Sequence, residues 1–98
     1  MRIGQITMTG SKQQIVADIE NTPGGGYNVY CSVLVFQNNG ANAMRLGDNT
    51  VTSTRGQSIA ANGGFYTAPC PPKGTRLMDW YVIGTSADKL DYLYETAQ

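Results

Sequence analysis

The chain contains no histidine. That removes together the commonest general base, the usual activator of a serine or cysteine nucleophile, and the favoured zinc ligand. Its two cysteines, Cys31 and Cys70, lie far apart in sequence and cannot supply a four-ligand zinc set. Charge is scarce as well: 14% of residues are ionic, seven basic against seven acidic, and neither sign concentrates in any window. The electrostatic footprint of a nucleic-acid binder, or of a protein drawn to an acidic membrane, is therefore missing. No run approaches the ~18 apolar residues of a membrane-spanning helix, and the opening MRIGQITMTG carries no apolar signal core. There is no Asn-x-Ser/Thr sequon. These absences predict a soluble chain, not exported by a cleaved signal, with both cysteines reduced and with neither nucleic acid nor membrane as a partner.

Helical patterning is also lacking. No window of eleven residues keeps apolar side chains at i, i+3, i+4 and i+7 without a Gly, a Pro or a β-branched cluster breaking it, whereas period-two stretches recur between turn signals. Strands are expected at residues 3–9, 13–20, 27–37, 43–47, 50–54, 57–60, 64–67, 78–84 and 89–95. The punctuation between them is TPGGG, NNGAN, GDN, ANGG and PCPPKG. Gly and Asn there supply the positive φ of tight turns, and Pro removes a ladder donor. Ninety-eight residues enclose one core. The expectation is a single all-β domain over 1–98, a small β-sandwich or jelly-roll-like barrel of short antiparallel strands with essentially no helix.

The stretch YNVYCSVLVFQ is the most informative strand. Strict alternation places Tyr27, Val29, Cys31, Val33 and Val35 on one face and Asn28, Tyr30, Ser32, Leu34 and Phe36 on the other. The first set reads as core. The second is too apolar at Tyr30, Leu34 and Phe36 for a simple solvent face, so these residues are expected to meet a partner or another layer of the chain. The C-terminal strands repeat the pattern, with Trp80 inside an apolar run and Leu90, Tyr92 and Tyr94 sharing a face. Tyr and Trp combine large buried area with a polar tip, which suits interfaces as well as cores. Tyr30, Leu34, Phe36, Trp80, Tyr92 and Tyr94 are the expected contact residues, and the glycines at 24–26 a further contact loop. A small domain with this much two-faced apolar strand is expected to self-associate.

The inventory for chemistry is thin. Cys70 has only Lys73 and Arg76 near it in sequence to stabilise a thiolate, and no base. Asp18 and Glu20 would share one side of a strand, but no sugar-stacking aromatic lies near them to complete a glycosidase site. Asp48 with Asn49, and Asp88 with Asp91, read as turn carboxylates and not as calcium ligands. The cluster Gly84-Thr85-Ser86-Ala87-Asp88-Lys89 has the glycine and lysine in the wrong relation for a phosphate-binding loop and is followed by a strand pattern, so no helix N-terminus faces an anion. It is expected to turn a β-hairpin between 80–84 and 89–95. A non-catalytic protein is predicted, with no cofactor and no metal.

Two segments carry a resemblance. RLGDNTVTSTRGQSIAANGGF, residues 45–65, and LMDWYVIGTSADKLDYLYE, residues 77–95, together resemble a pattern in small virion structural proteins of tailed bacteriophages. An Arg-apolar-Gly-Asp turn leads there into a Val-Thr/Ser strand, then a Gly-Gly-aromatic step, and the chain closes with YVIGT, a small polar turn and DKL. The resemblance covers the C-terminal half. It implies a β-sandwich or jelly-roll-like domain on the phage particle, a capsid decoration or cement protein, or part of a head or tail fibre. It further implies binding to the major capsid protein or other virion proteins, self-assembly as a homotrimer, folding in the host bacterial cytoplasm and a final place on the capsid surface. Gly47, Asp48, Gly56, Gly84, Thr85, Asp88 and Lys89 match the pattern as turn determinants, and it supplies no catalytic residue. The alternative expectation is a glycan- or receptor-binding module of a fibre or adhesin, with Trp80 or a tyrosine as stacking platform and Asn38, Asn39, Asn42 and Asp48 as polar readers.

Overall fold

Turn chemistry cuts this chain into short strands, and the computed structural model, which describes residues 2–15 and 30–96, arranges them in two antiparallel sheets. The strands are β1 (Arg2–Thr7), β2 (Gln13–Gln14), β3 (Tyr30–Asn38), β4 (Met44–Gly47), β5 (Gln57–Ile59), β6 (Gly64–Thr67), β7 (Thr75–Arg76), β8 (Tyr81–Ile83) and β9 (Lys89–Thr96), with one turn of 3-10 helix at Leu77–Asp79. The first sheet runs β1-β9-β3-β6, with β7 joined to β3 beyond the end of β6; the second runs β2-β8-β4-β5. The all-β, sandwich-like architecture expected from the turn spacing is the one observed.

The core lies between the sheets. Leu34, Phe36, Leu90, Tyr92 and Tyr94 come from the first sheet, Met44, Leu46, Ile59 and Val82 from the second, and Met8, Ile15 and Leu77 close the ends. Full burial of each large apolar side chain stabilises the fold by roughly 1.5–3 kcal/mol. Aromatic rings pack through this layer in sequence: Tyr66 on Trp80 with centroids 6.3 Å apart, Trp80 on Phe36 at 5.6 Å, Phe36 on Tyr92 at 6.5 Å and Tyr92 on Tyr94 at 5.8 Å. Gly4 pairs with Tyr92 across the β1–β9 ladder, and the Tyr92 ring lies over it where any Cβ would stand. That glycine leaves room for a fully buried tyrosine.

The faces of β3 differ from strict alternation, and a β-bulge is the reason. The β3–β9 register slips between Cys31 and Val33, so one extra residue, Ser32, is accommodated on β3. A bulge of this kind shifts the phase of every side chain beyond it. Cys31 and, three residues on, Leu34 therefore both point inward, followed by Phe36 and Asn38, while Val33 and Val35 turn outward. The expected core set of Cys31, Val33 and Val35 is thus split, and Leu34 and Phe36 are core and not a surface patch. Tyr27, Asn28 and Val29 lie outside the described residues, as do Asp18, Glu20 and the glycines at 24–26.

Three further expectations change. Residues 50–54 form no strand: Asp48 Oδ1 accepts from the Thr50 amide at 2.8 Å, and Thr52 and Arg55 exchange backbone hydrogen bonds of 2.9 and 3.2 Å, which folds the β4–β5 link into two tight turns. Residues 78–84 begin in the 3-10 turn, where the Trp80 amide donates to the Leu77 carbonyl, and only Tyr81–Ile83 is strand. Finally, β8 and β9 are not a hairpin, because they belong to different sheets. Residues 85–88 carry the chain across: the Asp88 amide donates to the Thr85 carbonyl at 3.0 Å, with Ala87 at φ +76°. The crossing is tied to the end of β1 by Met8 N–H to Asp88 O, 2.7 Å, and Ala87 N–H to Met8 O, 2.9 Å.

Candidate functional site

Reversal of the β3 faces puts apolar side chains on the outer side of the first sheet. Directly paired residues share a face, so Ile3 of β1, Leu93 of β9 and Val35 of β3 form one row across three strands. In the next row Gln5, Asp91, Gln37 and Phe65 span all four. Val33 stands beside the first row, paired with Glu95. Ile3 and Phe65 are 71% and 70% exposed, and Val33 37%. The polar residues between them are held in place: Asp91 accepts from Gln5 Nε2 at 2.8 Å and from Asn39 Nδ2 at 2.6 Å, and Lys89 Nζ donates to Thr7 Oγ1 at 2.8 Å. The result is a hydrogen-bonded face with three large apolar groups in the open.

Of the six residues expected to make contacts, Tyr30 alone is exposed, at 44%. Leu34, Phe36, Tyr92 and Tyr94 are buried in this chain's own core, and Trp80 is half-buried against it. The sequence signal that would have located the outer face is the mixed row Ile3, Val33, Val35 and Leu93, but its members become neighbours only once the bulge and the β1–β9 pairing are known.

A second region collects polar groups around Trp80. The indole N–H donates to Thr75 Oγ1 at 3.1 Å, and the ring lines one hollow with Tyr66, Leu46, Val51, Asp48, Arg55 and Gln57 and another with Gly47, Thr75 and Asp79. The first has a volume of about 400 Å3. Asp48 is common to both, and to a third hollow with Arg76, Asp79 and Tyr81. Its carboxylate is held below the usual carboxylate range, chiefly by the Thr50 hydroxyl at 2.5 Å and the Thr50 amide, with Arg55 adding an opposite charge.

The asparagines expected beside Trp80 are elsewhere. Asn38 is fully buried; its Nδ2 donates to Asn42 O at 2.8 Å and Ile59 O at 3.1 Å, and its Oδ1 accepts from Gly40 N at 2.8 Å. Asn42 is bonded through both its backbone and its side-chain nitrogen to Asp88 Oδ2. These residues fasten the loop after β3 to the β5–β6 turn and to the 85–88 crossing. Cys31 is buried and Cys70 half-buried, they form no disulfide with each other, and among the described residues no group of three or more acidic or cysteine side chains is placed to hold a metal ion. No helix among the described residues is long and apolar enough to cross a membrane. Comparisons with family models, with curated proteins and with solved structures found no match to this chain.

Proposed function

We propose that the protein is a structural, protein-contact module: a virion decoration or cement protein that self-associates through the outer face of its first sheet and, so assembled, binds a capsid shell. The observation that carries this reading is the exposed apolar group Ile3, Val33 and Phe65 on a regular four-stranded surface. Contiguous apolar patches on small soluble domains mark contact sites. A second copy is the first occupant. The formal net charge is zero, so copies do not repel one another, and the outward residues of β9 begin with Lys89 and end with Glu95. A second copy seated on this face covers the half-buried Leu93 and Val35 together with the exposed Ile3, Val33 and Phe65. The thin acid–base inventory and the resemblance of residues 45–65 and 77–95 to phage virion proteins support the same reading.

Mixing the purified protein with expanded phage capsids and sedimenting the particles tests the shell-binding part. Co-sedimentation at a fixed, high ratio to the major capsid protein, lost in Phe65→Glu, is expected. A protein that stays monomeric and in the supernatant would refute it.

A further inference from the structure

The hollow that Trp80 lines with Tyr66 is separate from the outer face, since Tyr66 points inward where its neighbour Phe65 points out, and residues of both sheets line it. We propose that the hollows around Trp80 form a binding groove for a neutral oligosaccharide, with Trp80 and Tyr66 as the apolar surface and Asp48, Arg55 and Gln57 as the groups that engage sugar hydroxyls.

Three observations converge on this chemistry. The volume of about 400 Å3 falls within the ~300–1,000 Å3 of small-molecule sites, which pair aromatic walls with a few fixed polar groups. The aromatic surface is rigid: Trp80 is held by its N–H bond to Thr75 and by packing on Phe36, so its ring does not have to be ordered when a ligand arrives. The polar groups offer both hydrogen-bond senses, because a carboxylate only accepts, a guanidinium only donates and an amide does both, and a sugar hydroxyl needs both. Asp48 is already oriented by the Thr50 hydroxyl and amide. It also adjoins the neighbouring hollows, so the groove extends past Trp80 toward Asp79 and Arg76 and suits more than one sugar ring. Opposed charges, Asp48 with Arg55 and Asp79 with Arg76, leave no surplus for an anionic or cationic ligand.

Trp80 is the sole tryptophan of the sequence, so its emission reports on the groove directly. Maltotriose, cellotriose and chitotriose are titrated against the full chain, with sialyllactose as the acidic counterpart. At least one neutral trisaccharide is expected to give a saturable change in Trp80 emission at millimolar concentration. Asp48→Asn keeps the turn-capping oxygen but loses the charge, and should weaken binding about tenfold, the effect of losing one charge-assisted hydrogen bond, with the titration run well below the variant's own melting midpoint so that the loss is read on folded protein. Arg55→Ala, on an exposed loop, should act alike. No saturable response to any neutral trisaccharide overturns the proposal, as does an undiminished response in both variants or a response to sialyllactose alone.

Discussion

Asn38 does at the scale of one residue what a small core cannot do with apolar groups. It is fully buried and satisfies three backbone groups, two in the loop after β3 and one at the end of β5. Replacing it with the similarly sized leucine leaves the Ile59 carbonyl and the Gly40 amide without their partners in a buried setting, where each such loss costs about 1–3 kcal/mol. Asn38→Leu should therefore lower stability by about 2–4 kcal/mol, read by urea denaturation; a change of under ~0.5 kcal/mol would mean the loops do not depend on it. Asp48 makes a pH prediction. Its folded pKa lies below the ordinary 3.8, so its contribution is present above that value and fades as pH falls through the lower folded one. Thr50→Val removes the largest cause, the hydroxyl bond, and should raise the Asp48 pKa toward 3.8 in an NMR titration, while the amide bond keeps it from returning fully. Asp48 reads as a turn carboxylate in the sequence and is one, bonded to the Thr50 amide; Asn38 looks like a turn residue next to Asn39 and Gly40, and only the approach of the end of β5 to the loop after β3 makes it a hub.

At the scale of elements, period-two patterning located most of the strands, added one at 50–54, missed the short β7 and misjudged the connection from β8 to β9. GTSADKL has every mark of a hairpin turn, and the chain does turn there, with a bond from Asp88 N–H to Thr85 O, but the strands it joins do not pair. What the local sequence lacks is the information that β8 pairs with β2 and β4 while β9 pairs with β1 and β3. The bulge at Ser32 is invisible for the same reason: alternation holds on each side of it and fails across it, and the slip is set by pairing with β9, some sixty residues away. The 85–88 crossing carries a cost that can be tested. Ala87 sits at φ +76°, a conformation that strains an L side chain and suits glycine. Ala87→Gly should stabilise the domain by about 0.5–1 kcal/mol, a rise of roughly 2–8 °C in melting midpoint. A fall would show that the alanine methyl group makes a contact worth more than the strain.

At the scale of the whole molecule, Phe36, Trp80, Tyr92 and Tyr94 pack between the two sheets, whereas Ile3, Val33 and Phe65 lie exposed on the outer face of the first. Tyr92, Tyr94, Phe36 and Trp80 stack through one continuous layer, which is why the residues that look most like an interface in the sequence are unavailable for one. Ile3, Val33 and Phe65, far apart in the chain and each unremarkable in its own segment, come to share one face only after β1, β3 and β6 join one sheet through β9, with Leu93 and Val35 between them. The central claim is that copies of the chain associate through this face, and sedimentation equilibrium at micromolar concentration tests it most directly. The wild-type chain should show a mass of two or three protomers, and Ile3→Lys and Phe65→Glu should each give a folded monomer, since both positions are exposed and neither supports the core. A monomeric wild-type protein, or an oligomer whose mass neither substitution changes, would contradict the account.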